Sequence, residues 1–158
     1  MNRRSWLLGL LAFSLAGCAS MQPKNVAEVI AADPDLSTLN KLINDAGLTQ
    51  TLSGAGPFTV FAPSNAAFKA VPAKTMAELA TNKALLTQVL TFHVVPTKAM
   101  AADVKQGNVK SVNGANLGLA KAGNYVTVEN AIVTRPDLTA TNGVVHVVDS
   151  VLMPPKRR

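Results

Sequence analysis

The chain has 158 residues, of which 48% are hydrophobic, 4% are aromatic and only one is a cysteine. This length suits a single domain, with or without a short terminal segment. One cysteine excludes an intramolecular disulfide framework and any zinc or iron–sulfur site that is built from several cysteines. The formal charge of +6, from 15 Lys and Arg against 9 Asp and Glu, raises the question of an anionic partner.

The excess of positive charge lies at the two ends of the chain. Arg3 and Arg4 are near the start and the sequence KRR at positions 156–158 closes it, which leaves ten cations and nine anions between them. A nucleic-acid-binding domain concentrates its cations on one face. We therefore expect no nucleic-acid partner. The basic tail at 156–158 either contacts anionic envelope polymers or is simply solvated.

The first residues have the pattern of a bacterial export signal. Two arginines precede an apolar run at positions 6–16, which is shorter than the roughly 20 residues of a membrane-spanning helix. The run ends in LAGC at positions 15–18, which resembles the lipobox of bacterial lipoproteins. That resemblance implies cleavage before Cys18, a diacylglyceryl group on its thiol and acylation of its new amine. An ordinary buried cysteine and an uncleaved signal anchor are the alternatives.

These patterns predict four segments: a signal peptide at 1–17, the lipidated Cys18 with a tether at 18–24, a domain at 25–155 and the basic tail. Ala19 stands where an aspartate would retain an enteric lipoprotein in the inner membrane. In a host with two membranes this favours an outer-membrane lipoprotein, facing the periplasm or the surface. The membrane is then the one expected partner that the sequence identifies.

The first half of the domain has helical patterns around one strand. Apolar residues have helical spacing at 26–30 and 36–46, with Asp33-Pro34 as the start of the second helix and Gly47 as its end. A strand is expected at 58–61, followed by a short helix to Phe68. Thr75 and Glu78 have capping-box spacing, and a further helix begins near Asn82.

The second half is mostly strand. We expect strands at 109–112, 117–120, 125–128, 131–134 and 144–152, and one helical piece at 100–105. Asn113-Gly114 is a strong turn pattern between the first two of these strands. Helices first and an antiparallel sheet later predict an α+β domain.

The sequence shows no catalytic constellation. It has no nucleophile elbow, phosphate-binding loop or paired-histidine zinc motif, and His93 and His146 are its two histidines. His146 and Asp149 are three residues apart in an expected strand, so their side chains should point to opposite faces. We expect no metal site, no cofactor and no catalytic residues, and we expect both histidines to make local hydrogen bonds.

Three segments resemble the fasciclin (FAS1) domain family. TVFAPSNAAF at 59–68 is similar to the first signature box of that family, LTFHVVP at 90–96 to its central motif, and NGVVHVVDSVLMP at 142–154 to its second box. DLTAT at 137–141 also matches the usual lead-in to the second box. The boxes occur in the family's order, and the resemblance covers about residues 24–155. It implies a FAS1-like wedge of mostly antiparallel β-strands with helices packed against it.

The resemblance assigns roles to particular residues. Phe92 stands where the family usually has tyrosine, so we do not carry over the recognition role linked to that motif in animal members. Phe92 and His93 stay candidates for contact with a partner, although a core position and local bonding are the simpler interpretation. The residues expected to form the structural motif are Phe61, Ala62, Pro63, Ser64, Asn65, Phe68, Asn142, Gly143, His146 and Asp149.

For function, the resemblance implies adhesion or extracellular interaction rather than turnover. Our leading hypothesis is a lipid-anchored envelope protein that contacts another protein or a polysaccharide. The alternative is a carrier or sensor of an apolar small molecule, such as a lipid or a carotenoid-like compound. An enzyme is the third hypothesis. The sequence does not predict the oligomeric state.

Overall fold

The computed structural model describes residues 23–155, which form seven strands and six helices. The helices are α1 Val26–Ala32, α2 Ser37–Ala46, α3 Thr49–Leu52, α4 Asn65–Ala70, α5 Ala73–Thr81 and α6 Lys83–Phe92, with a 3₁₀ turn at Pro34–Leu36. The strands are β1 Phe58–Pro63, β2 Val94–Val95, β3 Gly107–Lys110, β4 Asn116–Ala122, β5 Tyr125–Val128, β6 Ala131–Ala140 and β7 Gly143–Val148. No helix within residues 23–155 is long and apolar enough to cross a bilayer.

The helix ends follow their capping residues. The Asn25 side chain accepts the Glu28 N–H, and the Glu28 carboxylate accepts the Asn25 N–H, which is a reciprocal capping box at the start of α1. Asp33 accepts the Asp35 N–H ahead of Pro34, as expected, although the first turn there is 3₁₀. Gly47 ends α2 with φ of 74°, a backbone region that glycine adopts without steric cost.

The seven strands form one sheet in the order β2-β1-β7-β6-β5-β4-β3. β1 and β7 run parallel and the other neighbouring pairs run antiparallel. The loop after β3 reaches back to β2, because the Val112 N–H donates to the Val94 carbonyl at 2.8 Å. The expected α+β class with a mostly antiparallel sheet is therefore confirmed.

Two apolar cores lie on the two sides of the central strands. Val60 and Ala62 of β1 pack into the first core, which the helices cover, together with Val145 and Val147 of β7. Phe61 belongs to the second core, to which strands β4 to β6 contribute most of the other side chains. Side chains alternate across a strand, so the central pair separates the cores and contributes to both.

Two helix predictions were wrong in detail. Thr75 lies inside α5, which begins at Ala73 after Pro72 and has no side-chain cap. The expected helical piece at 100–105 is a single turn, in which the Met100 carbonyl accepts the Asp103 N–H at 2.9 Å. The Ala101 N–H instead donates to a distant side chain, as described below, so local helical hydrogen bonds do not decide this segment.

Three strand predictions differ at their ends. The strand expected at 109–112 is β3, displaced to Gly107–Lys110, because the Ser111 N–H donates to the Ala115 carbonyl and begins the loop. β6 continues to Ala140 through two irregularities of register, rather than ending at 134. β7 ends at Val148, and the chain after it leaves the sheet.

Candidate functional site

The second box begins with a side chain that holds three parts of the chain together. Asn142 Oδ1 accepts the Val26 N–H at 2.8 Å, and its Nδ2 donates to the Leu52 carbonyl at 2.8 Å and the Gly54 carbonyl at 2.7 Å. The Asn142 carbonyl accepts the Phe58 N–H at 3.0 Å. An amide side chain has both donors and acceptors, and here it joins α1, α3 and the loop before β1 to the turn before β7.

Two glycines allow the turn before β7 to lie directly against the segment that leads into β1. A Cβ on Gly143 would lie 2.0 Å from the Phe58 carbonyl oxygen, and a Cβ on Gly56 would lie 1.9 Å from the Asn142 carbonyl oxygen. No side chain fits at such distances, so the start of β7 and the start of β1 can pair only if both positions are glycine.

The first box turns β1 into α4. Ala62 and Pro63 complete the strand, and Ser64 caps α4 by accepting the Ala67 N–H at 3.2 Å. Phe68 then returns to the first core. The next side chain, Asn65, bonds the start of α2 instead.

Asn65 closes the start of α2 from outside that helix. Its Oδ1 accepts the Thr38 N–H at 3.0 Å, and its Nδ2 donates to the Pro34 carbonyl at 2.9 Å and the Ser37 hydroxyl at 3.0 Å. α2 has no side-chain cap of its own. The first box therefore caps two helices with two consecutive residues.

The His93 ring joins the central motif to the end of the domain. The ring is 2% exposed. Nδ1 donates to the Val89 carbonyl at 2.8 Å, and Nε2 accepts the Leu152 N–H at 3.0 Å, which fixes the neutral tautomer with the proton on Nδ1. Burial lowers the pKa of His93 from 6.5 to about 4, and the hydrogen bond to Val89 opposes that shift.

The His146 ring has the opposite tautomer. Nε2 donates to the Ala99 carbonyl at 2.8 Å, and Nδ1 accepts the Asp137 N–H at 3.1 Å. The ring stacks on Phe61 with centroids 5.6 Å apart and planes at 23°. Burial lowers the pKa of His146, whereas the bond to Ala99 and the Asp137 carboxylate act in the other direction.

Both rings are thus donors and acceptors for the backbone, and neither has a free nitrogen for a substrate. Asp149 follows the end of β7, and its carboxylate accepts the Ile132 N–H at 2.8 Å rather than bonding His146. Within residues 23–155, no group of three or more His, Cys, Asp and Glu side chains is arranged to hold a metal ion. The two rings therefore hold distant parts of the chain together.

Phe92 and His93 do not lie on the surface. Phe92 is 2% exposed and packs in the second core with Phe61, so neither side chain of the pair reaches a partner in this conformation. Phe92 lacks the phenol of tyrosine, and its place in an apolar core requires no hydroxyl. The hypothesis that these two residues contact a partner requires the segment to open.

An apolar cavity of about 40 Å³ lies between the helices and β1. Its lining includes Ile43, Leu52, Phe58, Leu90 and Val112. An engineered apolar cavity of about 150 Å³ holds benzene, so this one, as it stands, is too small for a lipid or a pigment. Cys18, the expected lipid-attachment residue, and the tail at 156–158 lie outside the described residues.

Sequence reasoning did not find the long-range partners of these motifs. It predicted local bonding for His93 but not Leu152 as its partner, and it did not single out Asp137 as the neighbour of His146. Asp137 has φ of 58°, a conformation in which aspartate is enriched. Such a position has no distinct pattern in a single sequence.

The family model of the fasciclin domain matches residues 34–154. The chain belongs to the fasciclin domain family. The matched range contains all three motifs and both buried histidines, and α1, which precedes it, packs in the first core.

Several relatives extend this result to bacterial proteins. The chain is 45% identical over 132 residues to protein sll1483 of Synechocystis, covering 82% of this chain and 73% of the relative. It is 39% identical over 145 residues to immunogenic protein MPB70 of Mycobacterium bovis, covering 89% and 74%. It is 38% identical over 142 residues to cell surface glycolipoprotein MPB83 of the same species, covering 87% and 64%.

A solved structure has the same fold. It is a FAS1 domain pair from the insect cell adhesion molecule fasciclin I, with a TM-score of 0.66 and 18% identity, covering 83% of this chain and 51% of that one. The match covers about half of that domain pair and confirms the expected FAS1-like fold. The fasciclin fold of this chain thus has relatives in cell-surface and adhesion proteins.

Proposed function

We propose that this protein is a lipid-anchored fasciclin domain of the cell envelope that acts by non-catalytic contact with another protein or a polysaccharide. The observation that carries the proposal is the combination of the fasciclin domain with the LAGC sequence ending at Cys18. A relative with 38% identity is named a cell surface glycolipoprotein, which supports the same combination. Two or three acyl chains hold a protein on a membrane far more firmly than one.

The buried chemistry supports contact rather than turnover. Every buried polar side-chain atom among residues 23–155 has a hydrogen-bond partner, and both histidine rings are occupied by backbone groups. Partner recognition by such a domain would use exposed side chains. In this proposal the segments are the ones predicted from the sequence, with residues 1–17 removed, 18–24 as the anchored tether and 25–155 as the domain.

The anchor is tested by the mass of the mature protein. Wild-type protein extracted from membranes should begin at Cys18 and carry the mass of diacylglyceryl and amide-linked acyl groups. The Cys18→Ser variant should lack both groups and keep residues 1–17, because the thiol is the group that is alkylated before cleavage. Unmodified Cys18 in the wild type would contradict the anchor. Fractionation of the two membranes then tests the expected outer-membrane location.

Adhesion is tested in cells. A clean deletion should reduce surface attachment, aggregation or biofilm, and the wild-type gene should restore the lost property whereas Cys18→Ser should not. A deletion that leaves all three properties unchanged removes the support for adhesion.

The apolar cavity supports a second candidate, a carrier or sensor of an apolar small molecule. The cavity of about 40 Å³ is too small for such a molecule, so binding requires Ile43 of α2 and Val112 of the loop after β3 to move apart. Mass spectrometry of protein purified from its native membrane tests this function directly. Recovery without any bound lipid or pigment would eliminate it.

A further inference from the structure

The start of the domain, at Lys24, lies beside the turn between β6 and β7. The Lys24 carbonyl accepts the Thr141 N–H at 2.9 Å, and the Asn142 side chain accepts the Val26 N–H at 2.8 Å. Asn142 also donates to the Gly54 carbonyl at 2.7 Å. The tether is therefore joined to one end of the central strands, beside the loop that precedes β1.

The sequence between this point and Cys18 is short. Six peptide bonds separate Cys18 from Lys24, so the two α carbons lie within about 20 Å of each other in any conformation. β7, which starts beside this end, runs from Gly143 to Val148 and extends about 17 Å away from it. An anchor on Cys18 thus keeps the β6–β7 turn within about 20 Å of the bilayer.

The same end carries two exposed lysines. Lys24 bonds Thr141 through its carbonyl, and Lys98 lines a surface depression together with Thr141 and Pro57. The Glu28 carboxylate accepts the Asn25 N–H at 2.8 Å. Asp33 and Asp35 line a depression together with Lys24, and both carboxylates pair with Arg135, at 2.9 and 3.4 Å. Lysines at a membrane surface are attracted to anionic headgroups.

The other end of β7 lies beside the start of β6. Asp149, just after β7, exchanges hydrogen bonds with Ile132, its N–H donating to the Ile132 carbonyl at 3.1 Å and its carboxylate accepting the Ile132 N–H at 2.8 Å. Asn130, in the exposed turn before β6, lies at this end.

We infer that the domain stands on the membrane with a basal face, formed by Lys24, Ala55, Lys98 and Thr141, against anionic phospholipid headgroups. The end with Asn130 and Asp149 is then the face that is offered to a partner. This inference rests on the acylation of Cys18 in the proposed function. It adds which surface the membrane covers and which it leaves accessible.

The test compares two probe positions in the acylated protein. Ala55→Cys on the basal face and Asn130→Cys at the far end are both exposed positions, and each is labelled with a thiol-reactive fluorophore. The protein is reconstituted in phosphatidylglycerol–phosphatidylcholine vesicles that contain a lipid with a nitroxide on its headgroup. Vesicles without nitroxide are the control, and the mass of each preparation is measured.

The expected result is strong quenching of the Ala55 probe and little or none of the Asn130 probe. Equal quenching, or stronger quenching at Asn130, in protein whose mass shows acylation would overturn the orientation while the anchor stands. Protein without acyl mass would overturn the anchor and this inference with it. The two failures are therefore distinguishable.

A charge variant tests the headgroup contact separately from the tether. Lys98→Glu should shift the balance of orientations by about fivefold or more away from the basal contact, which lowers quenching of the Ala55 probe on anionic vesicles and leaves it unchanged on vesicles of phosphatidylcholine alone. Lys110→Glu, on β3, is the matched control. An equal loss for both variants, or no loss for Lys98→Glu, contradicts the role of the basal lysine.

Discussion

At the scale of single residues, the two histidines of the fasciclin motifs act as buried neutral connectors. His93 joins α6 to Leu152, which lies 59 positions later, and His146 joins β7 to Ala99 and Asp137. Each ring donates with one nitrogen and accepts with the other. A protonated ring has two donors and no acceptor, so protonation breaks one of these connections in each case.

This chemistry predicts a loss of stability in mild acid. The folded-state pKa of His93 is about 4 and its ordinary value is 6.5, so the unfolded chain binds more protons between these values. The contribution is complete above pH 6.5 and is lost as pH falls towards 4, amounting to about 3 kcal/mol for His93. Burial lowers the pKa of His146 as well, which adds to the loss in the same direction.

Urea unfolding between pH 7 and pH 4 measures this dependence. His93→Gln should be less stable at pH 7 and should have a shallower fall in the free energy of unfolding than the wild type. A parallel fall in both proteins would show that His93 does not titrate on unfolding.

The close contact at Gly143 predicts a strong effect from one methyl group. Gly143→Ala places a Cβ 2.0 Å from the Phe58 carbonyl oxygen, so β1 and β7 must separate. We expect a loss of about 3 kcal/mol or more in the free energy of unfolding. Gly118→Ala is the control, because its Cβ would lie 3.4 Å from the Glu129 side chain. Similar losses for the two variants in thermal or urea unfolding would refute the steric explanation.

At the scale of elements, the first box connects helices that are not adjacent in sequence. Asn65, at the start of α4, accepts the Thr38 N–H and so supplies the cap that α2 lacks. α2 precedes β1 in the chain and Asn65 follows it, so the position of α2 depends on a side chain from beyond the strand. Loss of this cap should loosen α2 selectively.

Asn65→Ala should lower the free energy of unfolding by about 1–2 kcal/mol, as for the loss of other N-terminal caps. Hydrogen exchange should increase first in the amides at the start of α2. Asn40→Ala, inside α2, is the control and should have an effect within about 0.5 kcal/mol. Uniform exchange across the domain in Asn65→Ala would argue against a local capping role.

The elements also show why only part of the structure was predictable. Ser64 and Gly47 act on their own backbone neighbours, so their roles follow from local sequence. The 97–105 segment is shaped by Asp137, whose carboxylate accepts the Ala101 N–H at 2.8 Å from 36 positions away. A local periodicity therefore predicted a helix where a distant side chain holds a turn.

The candidate site was also predictable only in part. The motifs were visible in the sequence, and their turns and caps follow from Pro63, Ser64 and Gly143. Which groups they bond was not visible, because Asn142 meets Val26 and His93 meets Leu152 only after the sheet has formed. The parallel register of β1 with β7 determines those meetings.

At the scale of the whole molecule, the charge belongs to the ends rather than to the domain. Removal of residues 1–17 leaves 13 cations against nine anions, and three of those cations are at positions 156–158. Electrostatic binding to a polyanion scales with the number of cations that contact it. Ten cations face nine anions in the domain itself, so in solution it should bind such polymers more weakly than the tail does.

A variant that ends at Pro155 tests this distribution. It should lose the retention of the mature protein on a heparin column at low salt, with an unchanged circular dichroism spectrum and unfolding midpoint. Lys110→Ala in the full-length chain, which removes one cation from the domain, should have a smaller effect. Full retention of the shortened variant would place a basic surface on the domain.

The parallel pairing of β1 with β7 has a consequence for the order in which the domain folds. Phe58 pairs with Gly143, and Asn142 bonds Val26 across 116 positions, so the central strands cannot assemble until almost the whole domain has been synthesised. Domains dominated by such distant contacts fold slowly. In the export proposed above, a chain that crosses a membrane as an extended thread would benefit from this delay, because β7 is the last strand of the domain to be made.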